Sequence, residues 1–243
     1  DSPSWLHEDC IKMRFLGGKH RISKYIAPLV LSRNRVGIIV EPFCGGLHMT
    51  TRLLSIDPSV HVLASDIHGD LIDMWKALQD GWVPPRNMSR DERAALKAGP
   101  SCPDRTFGGY ACSFGGNWFA GYAEDSSGRN YCLNAHNSLM KIVPLLSRVT
   151  FRHGSYEDQD IPMGAVVYCD PPYAGTTSPG AGGPFNHDTF WAWAASMNES
   201  CFVSEYSAPE SFTEVWQKDV KTDMHTTSGK AQRVEKLFVN HTS

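Results

Sequence analysis

The chain has no Cys-x-x-Cys pair, no Gly-x-Gly-x-x-Gly loop and no long basic run, and none of its apolar runs nears the ~20 residues that cross a bilayer. Each absence removes a class. Without the glycine fingerprint a dinucleotide's pyrophosphate has no helix N-terminus on which to lie. Seven cysteines, an odd number with no tight pair, read as reduced thiols and not as a disulfide framework. Cys132 and His136 have metal-ligand spacing, but Cys102 and Cys112 stand irregularly and no second tight pair follows, so zinc is disfavoured and no metal is expected. The opening residues Asp1 to Trp5 lack the basic and apolar regions of a signal peptide, and a cytoplasmic setting without membrane attachment is expected.

Charge is also scarce and of the wrong overall sign for a polyanion partner, with a net of −3 at pH 7. Resolved along the chain, the picture changes. Residues 1–36 carry seven Lys or Arg against three acids, whereas residues 154–216 carry nine acids and no Lys or Arg. A basic face and an acidic face fit that distribution, as does a chance sorting of solvated charges.

What is present is an alternation of short apolar runs and amphipathic stretches. With 243 residues, 41% of them hydrophobic, the chain can bury one sizeable core. Strands are expected near 37–42, 60–65, 148–152, 165–169 and 201–205, and helices near 20–32, 47–55, 70–80, 187–197 and 209–217. That order predicts an α/β fold with a largely parallel sheet and helices on both faces. Between 81 and 132 the alternation stops: Pro84-Pro85, Gly99-Pro100, Cys102-Pro103 and Gly108-Gly109 punctuate it, and only Arg90–Ala98 reads as a helix.

The run Ala165 to Cys169 ends in Asp170-Pro171-Pro172-Tyr173. A carboxylate, two prolines and an aromatic ring make a rigid edge suited to a planar base bearing an amino group. Asp170 can accept one amino hydrogen and the Pro171 carbonyl the other, and the prolines fix φ near −65°. Tyr173 offers a face on which a flipped-out base stacks, worth ~1–3 kcal/mol. Upstream, a buried strand breaks at Glu41-Pro42-Phe43-Cys44-Gly45-Gly46, where glycine lets backbone approach a ligand. A second strand ends at Asp66, where a carboxylate can hold ribose hydroxyls or simply cap the next helix. A ribose without phosphates fits S-adenosylmethionine.

Four segments, in this order, resemble the Dam-type (D12-class) DNA adenine N6-methyltransferases. They are Arg14-Phe15-Leu16-Gly17-Gly18-Lys19, Glu41 to Gly46, Ala64 to Ile72 and Tyr168 to Tyr173. The resemblance implies a Rossmann-like methyltransferase sheet over 1–80 and 133–243, with a target-recognition insert at 81–132. It also implies S-adenosylmethionine as cofactor, DNA as partner, a monomer, and a bacterial or phage-infected cell as setting. Carried over by position, Phe15, Gly17, Gly18, Lys19, Glu41, Pro42, Phe43, Cys44, Gly45, Asp66, Ile67 and Asp170 would hold the methyl donor. Asp170, Pro171, Pro172 and Tyr173 would hold the target base. Phe15 stands where the family often has Trp.

Four further residues are candidates for DNA contact. Asn117 and Trp118 lie in an aromatic and glycine-rich stretch, 110–122, that either meets DNA or plugs the insert onto the sheet. Lys230 and Arg233 lie at the tip of an expected hairpin between 220–225 and 234–239. The Gly- and Pro-rich segment 174–184 is expected to gate the base pocket. An N4-cytosine methyltransferase and a non-catalytic donor- or DNA-binding module are the alternatives to adenine N6 methylation.

Overall fold

The computed structural model describes Phe15 and residues 18–124, 128–173, 185–226 and 229–241, with backbone only for 220–233. A central sheet is built from β1 (Ile38–Glu41), β2 (His61–Asp66), β3 (Val149–His153), β4 (Val166–Cys169), β5 (Cys201–Glu205), β6 (Phe212–Thr226) and β7 (Gly229–Asn240). Their order across the sheet is β3-β2-β1-β4-β5-β7-β6. The first five run parallel, and β7 enters antiparallel between β5 and β6.

Burial on both faces explains why β1, β4 and β5 read as continuous apolar runs. Ile39, Val62, Val166 and Tyr168 point into one core with Ile26 and Val30 of α1 (Ser23–Ser32), Leu53 of α2 (His48–Ile56), Trp75 of α3 (Gly69–Gln79) and Leu139 of α6 (Tyr131–Leu146). Their neighbours Val40, Val167, Cys169 and Val203 point the other way, against Phe190 and Ala194 of α7 (His187–Ala195). A hydroxyl pair inside, Tyr168 with Ser204, is closed by a 2.8 Å hydrogen bond. This is the Rossmann-like α/β sheet expected from the sequence. Its strand order reverses between β1 and β4, the point at which such sheets open a crevice at their carboxyl ends.

Three expectations are corrected. Residues 212–217 are not helical: they open β6, which pairs antiparallel with β7. Phe212 and Trp216 are spaced four apart as on a helix face, but a bulge between Glu214 and Trp216 turns them to opposite faces of the sheet, Phe212 with Phe190 and Trp216 with the cluster of Leu237. The stretch 81–132 holds a second helix, α5 (Pro103–Tyr110), besides α4 (Arg90–Ala98). Pro103 sits in its first turn, where a missing N–H costs nothing, and α4 begins on a capping box between Ser89 and Glu92. The sixteen-residue α6, capped by Asn130, fills a stretch for which no helix was expected. Among the described residues no helix is long and apolar enough to cross a membrane.

Candidate active site

Four of the parallel strands deliver a carboxylate to one edge: Glu41 ends β1, Asp66 ends β2, Asp170 follows β4 and Glu205 ends β5. On the β1–β2 side the glycine loop folds onto Asp66. Cys44 N–H donates to the Ser65 carbonyl (2.9 Å), Gly45 N–H to Asp66 Oδ2 (3.0 Å) and His68 N–H to Asp66 Oδ1 (2.9 Å). Gly45 has φ +43°, and a Cβ there would come within 2.8 Å of the Phe15 ring, so both backbone and space demand glycine. Phe15 lies over this loop and packs on Tyr110 at 4.9 Å. Each Asp66 oxygen takes one backbone N–H and keeps a second acceptor position, as two ribose hydroxyls require. Burial raises the Asp66 pKa, against the two N–H bonds that hold it down. Ile67, 57% exposed, follows it in the chain.

On the β4–β5 side the centre is Asp170. Lys19 Nζ lies 2.9 Å from Asp170 Oδ1, 3.8 Å from Glu235 Oε2 and 4.1 Å above the Tyr173 ring. The Tyr173 hydroxyl donates to Glu235 Oε2 (2.7 Å), and its ring meets Tyr206 edge-on at 4.6 Å. Tyr206 N–H in turn donates to Glu205 (2.6 Å). Burial pushes the Asp170 pKa up to about 6, while Lys19 pulls it down and Glu235 and Glu205 push it further up. The resemblance assigned Lys19 to the methyl donor; here its ammonium is on Asp170 and Tyr173.

Glu41 joins the two halves. It is buried, accepts from the Thr50 hydroxyl, and has its pKa raised to about 8, first by burial and further by the charges of Asp170 and Asp66. Both site carboxylates thus lie within electrostatic reach of one carboxyl. Because its folded pKa exceeds the ordinary 4.5, the native state holds a proton that the unfolded chain releases. Stability from this group is full below about pH 4.5 and is lost as pH rises through about 8. A Glu41→Gln variant, which keeps an acceptor for Thr50, is therefore expected to lose much of the Tm decline between pH 5 and 8.5, an effect on the order of a few kcal/mol at its largest. Thermal melts across that range check it, and equal slopes in both proteins refute it.

The remaining sequence candidates fall in distinct places. Pro42 and Cys44 are buried in the loop, and burial holds the Cys44 thiol protonated. Phe43 packs with Tyr156 at 5.5 Å and Phe190 at 5.7 Å, against the core cluster that includes α7. Gly18 abuts His48 so closely that a Cβ would lie 2.3 Å from its ring. Pro171 is buried and Pro172 half-buried. Trp118 packs at 4.8 Å on both Tyr110 and His68, and Asn117 is half-buried. Phe114, 70% exposed in the 3-10 turn Phe114–Gly116, is the outward aromatic of this stretch. Gly17 and the segment 174–184 lie outside the described residues, as do the side chains of Lys230 and Arg233.

Sequence reasoning missed Glu205, Glu235 and His68. Glu205 carried the same signal as Asp66 and Asp170, a carboxylate closing an apolar run. Glu235 was marked only by being an acid inside the closing strand, and His68 only by lying within the segment Ala64 to Ile72. A cavity of about 560 Å³ lies apart from the carboxylate edge, lined by residues that include Met88, Glu92, Cys112, Tyr122, Arg129 and Cys132.

Fold and site together define a Rossmann-like α/β protein with a glycine loop and strand-end carboxylates at its switch point. Residues 15–94 match the D12 class N6 adenine-specific DNA methyltransferase family, which bears out the resemblance over that segment. That family implies S-adenosylmethionine as methyl donor. No curated protein matches the chain in sequence. Solved structures similar to it include a candidate RNA methyltransferase from Pyrococcus horikoshii, at 8% identity and TM-score 0.42 over 89% of this chain and 81% of that one. A precorrin-6y C5,15-methyltransferase from Geobacter metallireducens is similar at 10% identity and TM-score 0.41, over 93% and 92%. A candidate methylase from Haemophilus influenzae is similar at 13% and 0.40, over 93% and 91%.

Proposed function

We propose that this protein moves a methyl group from S-adenosylmethionine to the N6 amino group of an adenine flipped out of DNA. The observation that carries the reading is the strand order β2-β1-β4, which sets Glu41 at the end of β1 between Asp66, ending β2 on the donor side, and Asp170, following β4 on the target side. Two ligands held by those carboxylates would meet over the β1–β4 crevice. The donor site fits its ligand: Asp66 has acceptor capacity for ribose hydroxyls, and Gly45, lacking a Cβ, lets the Phe15 ring lie over the loop.

S-adenosylmethionine supplies an electrophilic methyl carbon on a cationic sulfur. The chain's own residues supply alignment. Asp170 accepts one amino hydrogen and the Pro171 carbonyl the other, which turns the nitrogen lone pair out of the purine ring toward the methyl. Tyr173, its hydroxyl fixed by Glu235, presents its face to the base. Lys19 lies over that face, so the incoming base displaces its ammonium toward Glu235, already 3.8 Å away. No thiolate takes part, since burial keeps the Cys44 thiol protonated.

Residues 81–132 serve as target-recognition insert on the catalytic body of 1–80 and 133–243. Within it, Asn117 reads a base edge and the exposed Phe114 adds an apolar contact. The protein acts as a cytoplasmic monomer, with a short or relaxed recognition site. The test is mass analysis of nucleosides after incubation with DNA and labelled donor. N6-methyladenine is expected; N4-methylcytosine would reassign the base, and no methylated nucleoside would leave a silent binding module.

A further inference from the structure

His68 sits where none of the steps above use it. Its Nδ1 accepts the Leu71 N–H (3.2 Å), capping α3. Acceptance at Nδ1 places the proton of the neutral ring on Nε2. Burial, the largest influence, lowers the ring's pKa, so the neutral form prevails at physiological pH. The residue is 8% exposed, and its Nε2 is shut off from water with no hydrogen-bond partner among the described residues. Leaving such a donor unmet costs ~1–3 kcal/mol.

The surroundings of this orphan donor point to a ligand. The backbone N–H of His68 is already on Asp66 Oδ1, at 2.9 Å. Its ring lies 4.8 Å from Trp118 and 5.8 Å from Tyr110, and Tyr110 packs on Phe15 over the glycine loop. The wall containing Asp66 therefore offers hydrogen-bond acceptors, from the carboxylate, and one further donor, from the imidazole. Adenosine presents the complement, hydroxyl hydrogens together with lone pairs on ring oxygen and nitrogen.

We propose that His68 Nε2–H donates a hydrogen bond to the adenosine moiety of the methyl donor and so helps set which nucleoside this site accepts. The inference rests on the function proposed above, but its test separates the two. His68→Asn keeps a cap for Leu71, because Asn is a good N-cap residue, and withdraws the Nε2 donor. Titration calorimetry with S-adenosylmethionine and with S-adenosylhomocysteine is expected to show about tenfold weaker binding of both to the variant, corresponding to ~1.4 kcal/mol. The ligand-free Tm is expected to hold or rise, since an unmet buried donor has been removed. In the wild type the ¹⁵N resonance of His68 Nε2 should move when donor is added. Equal affinities, or an unmoved resonance in a wild type that binds donor, would overturn the assignment and leave His68 as a ring packed edge-on against Trp118. A wild type that binds neither compound would remove the donor site itself, and this inference with it.

Discussion

Replacing Asp170 with alanine is expected to lower single-turnover methyl transfer by about 10³-fold while donor affinity stays within a few-fold of wild type. The asymmetry follows from where the carboxylate sits. It holds no part of the glycine loop, and its contact is Lys19 at 2.9 Å, beside Tyr173 and Glu235. Its loss removes an acceptor for the amino group of the target and leaves the donor wall of Asp66 and Gly45 intact. The fold should tolerate the change. Burial raises the Asp170 pKa to about 6, which marks its charge as costly to the native state, and Lys19 retains Glu235 within reach. A conservative partner, Asp170→Asn, keeps one acceptor oxygen and is expected to fall between the two. Rapid-quench kinetics with donor and an oligonucleotide in excess would decide. An alanine variant as fast as wild type would take Asp170 out of the reaction.

Activity in the wild type should also weaken on acidification through about pH 6, because a protonated Asp170 has an acceptor fewer and a donor more. In the alanine variant that limb of the profile should vanish. The two results bear on one group by independent routes, so a surviving limb would assign the titration to another residue.

The strands that bear the site were legible because they are buried on both faces. Val166 to Cys169 and Cys201 to Val203 leave no room for polar residues until the sheet ends, so the first carboxylate after each run announces its edge. The glycine loop was legible for the opposite reason, since Gly45 stands where the backbone turns through positive φ against Phe15. Elements that owe their form to partners elsewhere were not legible. Residues 212–217 are a strand because β7 pairs with them, and the bulge near Val215 breaks the alternation that would have shown it. Glu235 belongs to the site through the antiparallel return of β7, which brings a residue 62 positions beyond Tyr173 to its hydroxyl. Nothing local encodes that pairing. Lys19 shows the same dependence from the other end of the chain: its motif marked it for the site, and tertiary packing set its ammonium on Asp170.

Asp66 should give the opposite kinetic signature from Asp170. In Asp66→Ala the donor affinity is expected to fall by about 100-fold, while kcat at saturating donor recovers to within about tenfold of wild type. Beyond the ribose contact proposed for it, the carboxylate holds backbone in place. Gly45 N–H and His68 N–H both end on it, so its removal orphans two backbone donors at the loop and at the start of α3. Asparagine does not rescue this, because its single oxygen serves one N–H and its amide nitrogen confronts the other. Both variants are thus expected to bind donor poorly, and a Tm loss should accompany the alanine change. Burial raises the Asp66 pKa, so in the wild type donor affinity should also drop on acidification, beginning at a higher pH than an ordinary aspartate would give. Isothermal titration at several pH values, read beside the saturation kinetics, checks all three expectations. If Asp66→Ala binds donor as tightly as the wild type, the methyl donor does not lie on the β1–β2 side of the crevice, and Asp170 would then have no sulfonium opposite it.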